Sequence, residues 1–177
     1  MRTIYYLPLY FFVAIALLMA IKFFNTSNLK SPLIGMQIKD FSLASSMYPK
    51  QVFSTQQLKG QLSIINFFAS WCNYCRIEHD FLVSLSSTNT IPIYGIAIRE
   101  NPSRLKQFLI SYDNPYKDVG NDSLGQLAVE FGIIGFPETI LVNKEGIIIY
   151  HIRGALTKAL YDQEILPIIK KELKQDI

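Results

Sequence analysis

Apolar positions along this 177-residue chain fall into one long unbroken run near the start and several shorter ones further on. The long run, Ile4 to Ile21, is eighteen residues without a charge, bracketed by Arg2 and Lys22. As a helix it would span about 27 Å, close to the hydrocarbon thickness of a bilayer. No face of it is polar, so it does not read as a helix of a soluble core. It ends Met19-Ala20-Ile21-Lys22-Phe23-Phe24, a poor match to the small-x-small site of a cleaved signal. Residues 1–24 are therefore expected to form an uncleaved transmembrane anchor. Polar residues follow, and 25–32 read as a tether leading to one domain at 33–177.

Within that domain the period of the pattern changes from element to element. Phe41–Leu43 and Gln51–Ser54 read as short strands flanking Ser45-Ser46. Leu62–Ala69 is nearly all apolar, as a central strand covered on both faces must be. A helix is expected over Asn73–Ser87, with Ile77, Phe81 and Leu85 inward and Arg76, Asp80 and Ser84 outward. Ile91–Ile98 is the next strand, and a helix capped by Ser103 runs to Ser111 with Leu105, Phe108 and Leu109 buried. A short strand at Lys117–Val119 and a helix near Leu124–Phe131 come next. Glu138–Asn143 and Ile147–Ile152 then form a hairpin about Lys144-Glu145-Gly146. A last helix from Thr157 should kink or break at Pro167. Strand–helix–strand followed by a hairpin and a helix gives an α/β fold, a mixed sheet flanked by helices.

Charge narrows the field. Setting aside Arg2 and Lys22, fifteen basic and fourteen acidic residues leave the rest of the chain at +1. No Lys/Arg stripe tracks one element, so no nucleic-acid partner is expected. Arg2 before the span and Lys22 and Lys30 after it give little indication of orientation. Export of the domain is argued from its chemistry and from the position of the span at the amino terminus.

That chemistry rests on two cysteines. Cys72 and Cys75 are the whole complement, which lacks the second pair a structural zinc site would need. A structural disulfide this short would add little stability. Trp71-Cys72-Asn73-Tyr74-Cys75 lies between a buried strand and an amphipathic helix, which places Cys72 at the helix N-terminus. Unpaired N–H groups and the helix dipole there stabilise a thiolate. Cys72 is the expected nucleophile, Cys75 one turn on is the resolving thiol, and Trp71 is an apolar cover. Gly135-Phe136-Pro137 opens a strand, where a proline needs a reason. A cis Phe136–Pro137 bond would let Phe136 offer backbone groups to an extended substrate beside Cys72. Glu78, three residues past Cys75, and Glu138, next to Pro137, are candidate acceptors of the Cys75 proton.

From Leu33 onward the chain resembles a thioredoxin-like domain. More narrowly, it is similar to the membrane-anchored thiol:disulfide interchange proteins of cytochrome c biogenesis, the CcmG/DsbE family. Trp71 to Arg76, Glu78-His79, Asn114-Pro115-Tyr116 and Leu33-Ile34-Gly35 carry the likeness, and Gly132 to Thr139 is the most discriminating stretch. The resemblance implies a single-pass protein of the bacterial inner membrane with its catalytic domain in the periplasm. It implies reduction of disulfides in apocytochrome c or its haem-ligation partners, with electrons from a membrane protein of the CcdA/DsbD type. No cofactor or metal is implied beyond a redox-active Cys72–Cys75 disulfide, and Glu78 and Glu138 would make the site acidic. Two positions depart from the commoner pattern. Asn66 stands where ordinary thioredoxins carry a buried aspartate, leaving proton handling to Glu78, Glu138 or water. Asn73-Tyr74 replaces the usual proline-containing dipeptide, which tunes redox poise.

Three other readings compete. One is a general exported reductase or oxidase without cytochrome specificity. Another is a copper-handling protein using Cys72, Cys75 and His79 as soft ligands. The third is an apocytochrome-binding scaffold with incidental cysteines.

Overall fold

The computed structural model describes residues 6–25, 31–88 and 90–174. The chain divides into two units, Met1–Ser31 and Pro32–Ile177. In the first, helix α1 (Leu7–Asn25) leaves Leu9 to Lys22 exposed. Among the described residues no helix is long and apolar enough to cross a membrane. The span expected from the sequence begins at Ile4, outside the described residues.

The second unit is built on a mixed sheet. Its strands are β3 (Ser63–Phe68), β4 (Ile93–Ile98), β5 (Val119–Asp122), β6 (Glu138–Val142) and β7 (Ile148–Arg153), after a small hairpin of β1 (Ser42–Ala44) and β2 (Val52–Ser54). Among the described residues the main sheet runs β5-β4-β3-β6-β7. β3 pairs parallel with β4 and β4 with β5, while β6 is antiparallel to both β3 and β7. The parallel half and the antiparallel hairpin both match the sequence expectation. Every residue of central β3 is buried, because alternate side chains enter two separate cores. Ile64 and Phe68 pack with Leu82, Leu105 and Ile169 on one face. Ile65 and Phe67 pack with Phe53, Leu127 and Phe131 on the other.

Several boundaries differ from the sequence reading for identifiable reasons. Helix α2 (Asn73–Ser86) buries Cys75, Glu78, His79, Leu82 and Leu85, whereas Ile77 is 66% exposed. Glu78 and His79 occupy the inward stripe, so a count of apolar residues alone shifts the buried face by one position. Helix α3 (Pro102–Ser111) is capped not by Ser103 but by Asn101, whose side chain accepts from Ser103 N and Arg104 N; Pro102 sits at N1. Strand β5 lies two residues beyond its expected start, and α4 is only Gln126–Glu130. At the carboxyl end, α5 (Lys158–Leu160), a π-helical stretch Tyr161–Ile165 and α6 (Leu166–Lys174) run on without a break. The wider π turn lies just before Pro167, whose ring would clash with the i−4 carbonyl of a regular helix.

One glycine shapes the site. A Cβ at Gly95 on β4 would lie 2.9 Å from Phe68 and 3.2 Å from Tyr116. Its absence lets the Phe68 and Tyr116 rings stack at 4.9 Å over the strand. That packing carries the Tyr116 hydroxyl to Asn66 in the middle of β3.

Candidate dithiol active site

The chain leaves β3 at Phe68 and turns into α2 through Ala69-Ser70-Trp71-Cys72. Cys72 is the N-cap of α2, and its Sγ accepts the Cys75 N–H at 3.2 Å. Negative charge on that sulfur faces a backbone donor and the positive end of the helix dipole. The same sulfur lies 3.6 Å from the carbonyl oxygen of Phe136. The Phe136–Pro137 bond is cis, as expected. Trp71 is half-exposed and meets Phe136 edge-on, with ring centroids 6.1 Å apart. Cys72, Trp71 and the proline loop thus converge, although Cys72 and Phe136 are 64 residues apart.

The Ser70 peptide before the motif is gripped at both ends. Its N–H donates to Oε1 of buried Glu100 at 2.5 Å, and its carbonyl accepts from Arg76 Nε at 3.0 Å and Nη2 at 2.9 Å. Charge-assisted bonds of this kind are stronger than neutral ones. They hold the loop that aims Trp71 and Cys72. Sequence reasoning missed Glu100; an acid two residues past the end of an apolar strand was the available signal.

Cys75 lies behind Cys72 and is 2% exposed. Burial, then the hydrogen bond to Cys72, pushes its thiol well above the ordinary range, with the Glu78 charge adding to the effect. Glu78 is itself buried. Its Oε1 accepts from Asn66 Nδ2 at 2.8 Å, and its Oε2 from Leu156 N at 2.7 Å. Burial outweighs those two bonds and raises the Glu78 carboxyl to about 7. Asn66 also donates to Thr139 Oγ1 at 3.0 Å and accepts from the Tyr116 hydroxyl at 2.9 Å. Asn66 therefore orients the acid that the ordinary pattern would place at its own position. Tyr116 is likewise raised, by burial and then by Glu78 and Cys75, and remains a proton donor to Asn66.

Glu138 is equally buried but faces elsewhere. Its Oε1 accepts from Ile134 N and Gly135 N, both at 3.0 Å, and its Oε2 from His151 Nε2 at 2.7 Å. These bonds tie down the loop that presents Phe136. His79 is buried too, and its Nε2 donates to the Asp113 carbonyl at 2.8 Å. Its ring packs edge-on against Phe108 and Tyr116, at 4.8 and 6.2 Å. Among the described residues no cluster of three His, Cys, Asp or Glu side chains is placed to hold a metal ion.

A cysteine pair opening a helix beside a cis-proline loop, on a β5-β4-β3-β6-β7 sheet between two cores, defines a thioredoxin-fold thiol–disulfide oxidoreductase. The Redoxin family profile matches residues 33–165. A probable thiol:disulfide interchange protein DsbE-2 of Pasteurella multocida is 34% identical over 163 residues, 92% of this chain and 86% of that one. The thiol:disulfide interchange protein DsbE of Escherichia coli K12 is 32% identical over 98% of this chain and 97% of its own length. The chain belongs to the redoxin family and, within it, to the DsbE thiol:disulfide interchange proteins. In fold it is similar to the crystal structure of a putative DsbE from Chlorobium tepidum. The TM-score is 0.68 at 21% identity, over 77% of this chain and 97% of that one.

Proposed function

We propose that this chain is a membrane-anchored reductase of the bacterial periplasm that opens disulfides in apocytochrome c or in its haem-ligation partners. Family membership and the Gly132-to-Thr139 stretch favour that client class. The observation that carries the reading is the 3.6 Å approach of Cys72 Sγ to the Phe136 carbonyl. An extended client bonded to that carbonyl would bring its disulfide to the nucleophile. The anchor is assigned to the uncharged run Ile4–Ile21, which begins outside the described residues.

In the first step the Cys72 thiolate attacks one client sulfur, forming a mixed disulfide and expelling the other client sulfur as a thiolate, which takes up a proton. Cys75, protonated until then, passes its proton to Glu78 as it attacks Cys72 Sγ and expels the second client sulfur as a thiolate, which takes up a proton. Two electrons move to the client, and Cys72 and Cys75 end as a disulfide. A membrane dithiol protein of the CcdA/DsbD type restores them, and no further cofactor takes part. Trp71, Phe136 and Pro137 hold the client. Glu138 acts on the loop rather than on the proton.

Replacing Cys75 by Ser removes the resolving thiol, and mixed disulfides through Cys72 should accumulate in vivo. Apocytochrome or ligation factors among the trapped proteins would support the narrow reading. A broad spread of exported proteins would overturn it in favour of a general exported reductase.

A further inference from the structure

A disulfide is chemically alike in every client, so discrimination must come from contacts beside it. Next to the dithiol lies a cleft of about 350 Å³ whose walls include Ser70, Trp71, Arg76, Arg104, Phe108 and Tyr112. The Trp71 wall is shared with the site, since the same ring meets Phe136. Among the described residues two guanidinium groups line the cleft and no carboxylate does. Arg76 is held in place by the Ser70 carbonyl, with its guanidinium carbon 6.0 Å from the centre of the Tyr112 ring. Arg104 is exposed, and among the described residues its guanidinium has no ion pair or hydrogen bond. It also stands in the first turn of α3, where the helix dipole disfavours a cation, so helix stability does not explain it. The Gln107 amide and Ser111 hydroxyl add polar groups along the same wall.

Resting on the reductase reading above, we propose that this cleft is a specificity subsite for a carboxylate side chain of the client polypeptide, close in sequence to the client cysteine. A chain lying across Cys72 and Phe136 reaches the cleft over Trp71. The rings of Phe108 and Tyr112 take its methylene groups, while Arg76 and Arg104 take its charge. Arg104 is a specificity residue only and contacts no reacting sulfur.

The test uses the full chain and short disulfide-containing peptides with Glu or Gln two or three residues to either side of the cysteine. At low salt, at least one Glu peptide should show kcat/KM about fivefold above its Gln twin, mainly through KM. That preference should vanish in Arg104→Ala, reverse in Arg104→Glu, and shrink in about 0.5 M salt. Equal values for every Glu and Gln pair, or a preference that survives Arg104→Glu, would overturn the subsite. Inhibition by free N-acetylglutamate as strong as by the Glu peptide would also overturn it, since the cleft would then be a small-anion site. Hydroxyethyl disulfide, uncharged and without sequence, should be reduced equally by wild type and Arg104→Glu. Failure of wild type on that compound would instead overturn the reductase reading, and the subsite with it.

Discussion

Glu78 and Glu138 are both sealed into the same domain, 2% and 1% exposed, and both sit beside residues of the reaction centre. Their surroundings differ in one respect that matters. Glu78 accepts two neutral donors, an amide side chain and a backbone N–H, and burial dominates, raising its carboxyl to about 7. Glu138 accepts three bonds, two from consecutive loop N–H groups and one from a histidine. On the function proposed above, the first arrangement suits a proton carrier for Cys75, while the second ties down the loop facing Cys72. Burial alone does not make a carboxylate catalytic; the number and kind of its donors decide.

The largest expected effect breaks the fastener. Glu138→Ala leaves two loop N–H groups without their acceptor and removes a bond to buried His151, and should lower unfolding free energy by about 3 kcal/mol in denaturant melts. Reduction should slow because Phe136 is no longer held. An unchanged denaturation midpoint would show that the loop does not depend on this acid.

Next is the proton carrier. In Glu78→Gln, release of the mixed disulfide should slow about 100-fold near pH 7, read by quenched-flow trapping, while capture by Cys72 changes little. Glu78 also ties stability to pH. Its carboxyl is higher in the folded chain than its ordinary value of 4.5, so the folded state keeps a proton that the unfolded chain has already lost. Stability from this group should therefore fall as pH rises from about 4.5 through 7, by up to about 3 kcal/mol, and then level off. Glu78→Gln should remove that slope, and a slope that persists would place its origin elsewhere.

Smaller effects probe the supports of each region. Glu100→Ala frees the Ser70 N–H and should cost about 2 kcal/mol of stability, slowing capture more than release. Tyr116→Phe removes one hydrogen bond to Asn66 and should cost about 1 kcal/mol. It should also shift the pH midpoint of the release step, which a merely structural tyrosine would not do.

Much of this was legible in the chain because it is local. The apolar run of β3, the placement of Cys72 at a helix N-terminus and the proline opening β6 all depend on residues a few positions apart. Where polar residues were buried, the pattern misled. Glu78 and His79 occupy the inward stripe of α2, so Ile77 was assigned to the core and proved exposed. Thr139 was not legible as a partner of Asn66, since their contact depends on the β3–β6 register.

By itself, then, the sequence determined the order of elements, the place of Cys72 at a helix N-terminus and the proline loop that meets it. Those follow from short-range spacing, helix capping and the period of burial. Only the tertiary structure decided that Glu78 joins the Asn66 network and that Glu138 fastens the proline loop. It also decided that Glu100 and Arg76 grip one peptide, and that Arg104 lines a cleft beside Trp71. Each of these depends on side chains meeting across strands and helices whose register and packing no local rule specifies.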